Sequence, residues 1–246
     1  MKILILIICL FSLVQAQTQP IGYGKIIKHK GFTLSYVESI RLPLWVSWKI
    51  TNYDPTKFTA ERKNKFIKDP LFEGQQANII DYRYKSNKAA TRGDYDRGHM
   101  CPAEDMAYDQ TTIDESFYFT NICPQLPNMN QHSWEEFEEQ CRKWSKGKTV
   151  YVYAGPVIQK GYNYKRIGIN NVVVPEFYYK IIITSDYKNA VAIIMKNSSE
   201  QQDWRNCIYS IDMIEKWTGI DFFSELPDSE ENQLENIINK QLKGFQ

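Results

Sequence analysis

The chain has 246 residues, 43% of them hydrophobic and 14% aromatic, which is enough apolar side chain to bury one substantial core. Its 30 Lys and Arg against 29 Asp and Glu leave a net charge of +1, which excludes capture of a polyanion by overall charge. No repeat, low-complexity tract or long Gly/Ser/Pro linker interrupts it, which argues against a solenoid, a disordered chain or a string of small domains.

Residues 3–14 are an apolar run behind Lys2 that leads into Val14-Gln15-Ala16, the layout of a secretory signal and too short to span a bilayer comfortably. This reading gives a signal peptide over residues 1–16 and a single domain over residues 17–246. The expected location is secreted or periplasmic, with no membrane attachment once the signal is removed. Removal takes away one Lys and no acid, so the net charge falls to about zero. It also removes Cys9 and leaves Cys101, Cys123, Cys141 and Cys207, an even count that predicts one or two disulfides in an oxidising compartment. Their pairing stays open. A zinc site from Cys101, Cys123, His99 and His132 lacks a Cys-x-x-Cys pair and fits no common structural spacing.

In chain order, residues 32–37 alternate as a strand and residues 44–50 carry Trp45, Val46, Trp48 and Ile50 on a second. The polar stretch that follows predicts a short helix or turn over residues 61–67 and a strand over 78–84. Residues 85–94 are basic, small and Gly-containing, as expected of a surface loop near a site. An aromatic strand is predicted over residues 116–122, with Pro124 and Pro127 in the loop after it. From about Asn130 the period changes: Trp134, Phe137, Cys141 and Trp144 recur at steps of three and four, one buried helical face with Asn130 or Ser133 as its cap. Strands follow over residues 149–153, 172–174, 177–184 and 190–195. The tail predicts a helix, or a strand and a helix, over 208–217 and an amphipathic helix over 230–242. The fold class is α+β, a mixed and largely antiparallel sheet flanked by helices.

Asp96-Arg97-Gly98-His99 is the run with the most chemistry in it. Imidazole has an ordinary pKa of about 6.5 and is a suitable proton acceptor at neutral pH. Arg97 offers a planar, permanently charged fork for phosphate oxygens, and Gly98 admits a close approach or an unusual backbone angle. Asp96 is expected to brace Arg97 or a backbone turn. Downstream, the carboxamide of Asn130 suits Mg²⁺, which commonly takes few protein ligands and keeps its waters. Glu138, eight residues later on the predicted helix, is placed to accept hydrogen bonds from such waters.

Together these residues resemble the DNA/RNA non-specific endonucleases, a family with a ββα-metal (His-Me) finger that includes endonuclease G. The matching text is Tyr95 to Ala103, Ser116 to Asn121, Pro124-Gln125, and Asn130-Gln131 through Trp134 to Glu138. Trp45 to Trp48 with Arg62, Phe66 and Asp69, then Gly155-Pro156, then Trp217 to Phe223 extend the resemblance over nearly all of the mature chain. It implies that His99 is the general base and Asn130 the direct metal ligand. Arg97 would stabilise charge on the phosphorus centre, Asn121 would support the loop and the phosphate geometry, and Glu138 would orient the water shell. Arg62 is the candidate for an upstream phosphate-binding arginine. Phe117 stands where some relatives carry a polar residue, and Cys101 and Cys123 near the motifs invite a disulfide that braces the finger.

The implied activity is hydrolysis of DNA and RNA with little sequence preference, using Mg²⁺ or sometimes Mn²⁺ and leaving 5′-phosphates. The competing readings are a catalytically silent, secreted nucleic-acid-binding module and a structural or adhesive protein that ignores metal. Self-association into a homodimer is left open. Asn197-Ser198-Ser199 is a glycosylation sequon only in a host with that pathway.

Overall fold

A computed structural model describes residues 17–83 and 94–245. The expected signal segment over residues 1–16 and nearly all of the basic loop expected over 85–94 lie outside the described residues. In chain order the chain forms β1 (Lys25–Lys28), β2 (Phe32–Val37), β3 (Leu42–Thr51), β4 (Asp96–His99), α1 (Gln110–Ser116), β5 (Ile122–Gln125), α2 (Glu135–Trp144) and β6 (Thr149–Pro156). There follow β7 (Arg166–Ile167), β8 (Val172–Val173), β9 (Phe177–Thr184), β10 (Ala190–Lys196), β11 (Ile208–Tyr209), α3 (Ile211–Thr218) and α4 (Asp228–Glu235). Seven strands join in the order β1-β2-β3-β6-β9-β10-β11, each neighbouring pair antiparallel.

The sheet is covered on both faces, so its central strands are buried nearly throughout. Strand periodicity sorts the side chains. Tyr178 and Lys180 of β9 meet Trp134 on the α2 side, and Trp48 of β3 joins them there. Tyr153 and Tyr179 point the other way, onto Phe222 and Phe223 in the segment after α3. On α2 the residues Phe137, Cys141 and Trp144 are buried, and Phe137 and Trp144 pack on Trp204. These are the positions expected from the spacing of three and four.

β4 and β5 pair separately as a two-stranded ribbon, with His99 opposite Ile122 and Asp96 opposite Gln125. The ribbon runs through one π turn, Met129–Trp134, into α2. Two strands and a helix therefore form a ββα unit against one face of the large sheet.

Several local expectations are corrected. Residues 61–67 form no helix; Ile67 makes a bridge to Tyr118 instead. The strand expected over 78–84 is a 3-10 turn, Ile79–Tyr82, because Asn78 and Asp81 exchange the reciprocal hydrogen bonds of a capping box. The strand expected over 116–122 is split between the end of α1, capped by Asp109, a 3-10 turn at Phe119–Asn121, and β5. Pro124 lies inside β5, tolerated because a two-stranded ribbon leaves an edge without ladder bonds. Neither Asn130 nor Ser133 caps the helix: the π turn already includes both, and the Ser133 hydroxyl accepts from Gln202 N at 2.7 Å. The last helix ends at Glu235 rather than near residue 242.

The disulfide expectation is also corrected, since Cys101, Cys123, Cys141 and Cys207 are free thiols. The first three are buried in the apolar core and packed as small hydrophobes. The sequon residue Asn197 is structural, with its amide donating to the carbonyls of Pro124 and Pro175 and its oxygen accepting from Leu126 N at 2.8 Å. It fixes the exit of β5. No helix among the described residues is long and apolar enough to cross a membrane.

Candidate active site

Alternation along β4 sets the site. Asp96 and Gly98 are buried, while Arg97 and His99 are two residues apart and share the half-buried face. That face lines a cleft of about 630 Å³ together with Arg62, Asn64, Phe66, Ile79, Tyr82, Arg83, Tyr95 and Asn130. Gly98 has no room for a side chain, because a Cβ there would run into the Gln125 carboxamide packed over it. Its backbone stays within an ordinary strand, so the close approach is the reason for glycine.

His99 stands between two aromatic rings, Phe117 at 4.8 Å edge-on and Phe66 at 5.4 Å. Each ring also carries a guanidinium: Arg97 lies 4.2 Å from the Phe66 centroid and Arg62 lies 5.5 Å from that of Phe117. Burial of the imidazole, aided by the charges of Arg62 and Arg97, pushes its pKa down to about 3. His99 is therefore neutral at physiological pH. Its Nε2 is enclosed and has no hydrogen-bond partner. Arg62 is further tied to Glu104 and donates to Asn64 Oδ1 at 2.9 Å.

The π turn brings Asn130 and Gln131 onto the Asp96 carboxylate, Asn130 Nδ2 at 3.0 Å and Gln131 Nε2 at 2.5 Å. With its nitrogen fixed in this way, the Asn130 carboxamide has its oxygen as the remaining ligand atom at the cleft wall. The carboxylate of Asp96 thus accepts from two amides, beyond the bracing of Arg97 or a turn expected of it. Such π insertions are common at functional positions, and here the insertion aligns two adjacent amides.

Two expected site residues lie elsewhere. Asn121 is fully buried: its oxygen accepts from Cys101 N, and its amide donates to the carbonyls of Cys101 and Ser116, each at 2.9 Å. It holds the loop after β4, as expected, but is not available to a phosphate. Glu138 is not among the cleft-lining residues; its Oε1 accepts from Lys180 Nζ at 2.7 Å. The π turn breaks the uniform helical spacing from which a shared face with Asn130 was expected.

Outside the cleft lining is a charged cluster missed at the level of sequence. Lys180 is fully buried, 4.2 Å from the Trp134 ring centroid, a desolvated contact of roughly 2 kcal/mol. Arg142 donates to Asp105 Oδ1 at 3.1 Å, and the other Asp105 oxygen takes the Trp48 indole N–H at 2.8 Å. Burial pushes the Glu138 carboxyl up to about 7, against the pull of Lys180 and Arg142. A lone lysine inside the apolar run 177–183 was the available signal. Of the other cleft-lining residues, Phe66 and Tyr95 lie in the stretches that carry the family resemblance, while Tyr82 and Arg83 gave no signal beyond residue type.

Although the overall charge is near zero, the cleft lining carries a local basic patch, Arg62, Arg83 and Arg97 against one acid, Asp96. Residues 13–229 match the model of a family described as DNA/RNA non-specific endonuclease. A nuclease of Nostoc sp. is 29% identical over 223 residues, covering 85% of this chain and 76% of that protein. The mitochondrial nuclease of Saccharomyces cerevisiae is 28% identical, over 86% of this chain and 69% of its own. Human mitochondrial endonuclease G is 28% identical over 66% of this chain, which spans 55% of that protein. Among solved structures, a chain from the EndoG/EndoGI complex superposes with a TM-score of 0.65 at 26% identity, over 85% of this chain and 89% of that one.

Proposed function

Because the chain belongs to the DNA/RNA non-specific endonuclease family, we propose that it is a metal-dependent endonuclease acting on DNA and RNA with little sequence preference and leaving 5′-phosphates. The observation that carries this reading is the meeting of His99, Arg97 and Asn130 at one arginine-lined cleft, from β4 and the π turn of a single ββα unit.

The residues fit a hard divalent cation. Asn130 presents a neutral carboxamide oxygen whose nitrogen is anchored by Asp96, the kind of second-layer support that fixes a ligand's orientation. A bound Mg²⁺, with Mn²⁺ as the alternative, would be held by Asn130 and would supply charge stabilisation on the phosphate and the leaving oxygen. Glu138 stands outside the cleft lining, anchored to Lys180, and would act on the ion's waters only indirectly.

His99 is neutral and takes the proton of the attacking water. With Nε2 enclosed, Nδ1 is the nitrogen offered for that transfer. The water oxygen bonds to phosphorus as the bond from phosphorus to the 3′ oxygen breaks, which leaves the phosphate on the 5′ side. Arg97, braced on Phe66, and Arg62, beside Phe117, meet the phosphate oxygens as negative charge grows on them. Contacts of this kind read the backbone and not base edges, which accounts for low sequence preference.

The layout of residues 1–16 supports export of this enzyme, and N-terminal sequencing of protein recovered from culture medium tests it. The activity is tested on one gel: plasmid DNA and RNA are incubated with wild-type and His99→Ala protein, each with Mg²⁺ and with EDTA. Only the wild type with Mg²⁺ is expected to shorten both substrates. Full, EDTA-resistant cleavage by His99→Ala overturns the mechanism, and a band shift without shortening by wild type in Mg²⁺ and in Mn²⁺ overturns the activity.

A further inference from the structure

Away from the cleft, three carboxylates converge between α3 and α4. Ligand oxygens of Asp212, Glu215 and Glu235 all lie within 4.8 Å of one another. Oxygen ligands of calcium sit at about 2.3–2.6 Å, so atoms on opposite sides of one ion are up to about 5 Å apart. Three oxygens within 4.8 Å of one another lie at most about 2.8 Å from a common centre, so one ion reaches all three after a shift of a few tenths of an ångström. Asp212 and Glu215 are three apart on α3 and share a face, while Glu235 arrives from the last turn of α4.

The cluster has no cation of its own. Among the described residues, no Lys or Arg forms an ion pair with any of the three. A second observation is that Glu235 is only 7% exposed and that its Oε1 is enclosed without a hydrogen-bond partner. A buried, unpartnered carboxylate oxygen is costly, and it faces two more carboxylates. Burial and repulsion among these acids, with Asp221 and Glu231 nearby, hold the Glu215 and Glu235 carboxyls above their ordinary range, and the two stand close enough to share a proton when no cation is bound. Glu215 Oε1 also accepts from Phe222 N at 2.8 Å, so this carboxylate is fixed in place by the segment that packs on the large sheet.

We propose that Asp212, Glu215 and Glu235 form a binding site for one divalent cation of calcium type, separate from the catalytic cleft, that clamps α4 to α3. Calcium fits better than magnesium because three protein carboxylates on two elements suit a large, flexible oxygen shell, whereas magnesium retains most of its waters.

The test uses the full-length mature protein carrying Asn130→Ala, which removes the proposed ligand of the active-site metal. After chelation and dialysis, melting is followed during a titration with CaCl₂ near neutral pH. The expected result is a rise in Tm of about 5 °C at saturation. Glu235→Gln added to this background is expected to stay folded and melt close to its parent in chelator, since burial already favours the neutral form of that carboxyl, and to lose the calcium response. Asp212→Asn should also lose most of the response, and calorimetric titration should count one site fewer in either variant. A parent protein whose Tm ignores calcium overturns the proposal and leaves shared protons as the means of neutralising the cluster. A Glu235→Gln protein that keeps the full calcium shift also overturns it. Neither outcome bears on whether the enzyme cuts nucleic acid.

Discussion

Asn130 and Asp96 are 34 residues apart in sequence and joined by a 3.0 Å hydrogen bond from the Asn130 amide to the Asp96 carboxylate. That bond decides which end of the carboxamide is presented at the cleft, because an unheld amide can flip and offer its nitrogen. Asp96→Ala is therefore expected to shift the Mg²⁺ activation curve to roughly 10–100-fold higher concentration, with a smaller change in the rate at saturating metal. Activity measured across a Mg²⁺ titration checks this. An unchanged midpoint with a depressed plateau would show that Asp96 acts on something other than ligand orientation.

The pH dependence of His99 follows from its surroundings. Its imidazole stays neutral in the folded protein down to a pKa of about 3, while in the unfolded chain it takes a proton near 6.5. Between those values the unfolded state binds more protons, so this group's contribution to stability falls as pH falls from 6.5 toward 3. Glu138, raised to about 7, acts in the opposite direction: its folded form holds a proton that the unfolded form gives up above about 4.5. The two must be separated by difference. Wild type should lose stability relative to His99→Leu as the pH drops through this window, by up to about 1.4 kcal/mol per pH unit. Parallel denaturant midpoints for the two proteins across the window would contradict the neutral, buried assignment.

For the buried pair Lys180–Glu138, removal of one partner should be worse than removal of both. Lys180→Met leaves a carboxylate enclosed without its cation and is expected to cost about 3–5 kcal/mol. Adding Glu138→Gln should recover much of that stability without recovering activity. Urea unfolding gives the first comparison and nuclease assays the second; equal stability of single and double variants would mean that the pair does not interact.

Gly98 and Gln125 share one space across the β4–β5 ribbon. Gly98→Ala is expected to lower activity at least about tenfold, since displacement of the ribbon moves Arg97 and His99 together. A second change, Gln125→Ser, makes room and should restore part of the rate. Lack of any rescue, with both proteins folded by circular dichroism, would locate the effect of Gly98→Ala elsewhere.

Free thiols make a simple chemical prediction. In the native protein a small alkylating reagent should reach Cys207, which is partly exposed, while Cys101, Cys123 and Cys141 react only after unfolding. Mass spectrometry of native and denatured samples without reductant checks this, and a dithiothreitol-dependent Tm would reveal a bridge that the structure does not contain.

Regular elements were legible where one physical cue dominated. Alternation in 32–37 predicts β2 and the apolar run 177–184 predicts β9, both to the residue, and the spacing of Trp134, Phe137, Cys141 and Trp144 gives the buried face of α2. Where short polar side chains compete for the backbone the pattern misled: the Asn78–Asp81 capping box turns an apparent strand into a 3-10 turn. The aromatic run 116–122 misled for a related reason, because its side chains serve three different elements and carry no single period.

By itself the sequence determined the chemistry available: an imidazole, a neutral oxygen ligand, arginines and a supporting carboxylate in a fixed order along the chain. Residue type and order are local properties, and so is the alternation that puts Arg97 and His99 on one face. Only the tertiary structure decided how those groups are used. Packing commits Asn121 entirely to the backbone, ties Glu138 to a lysine on the central sheet, and sets Phe66 and Phe117 around His99 so that its proton affinity drops. Burial and the partner of each polar atom arise from segments far apart in sequence, and no local pattern records them.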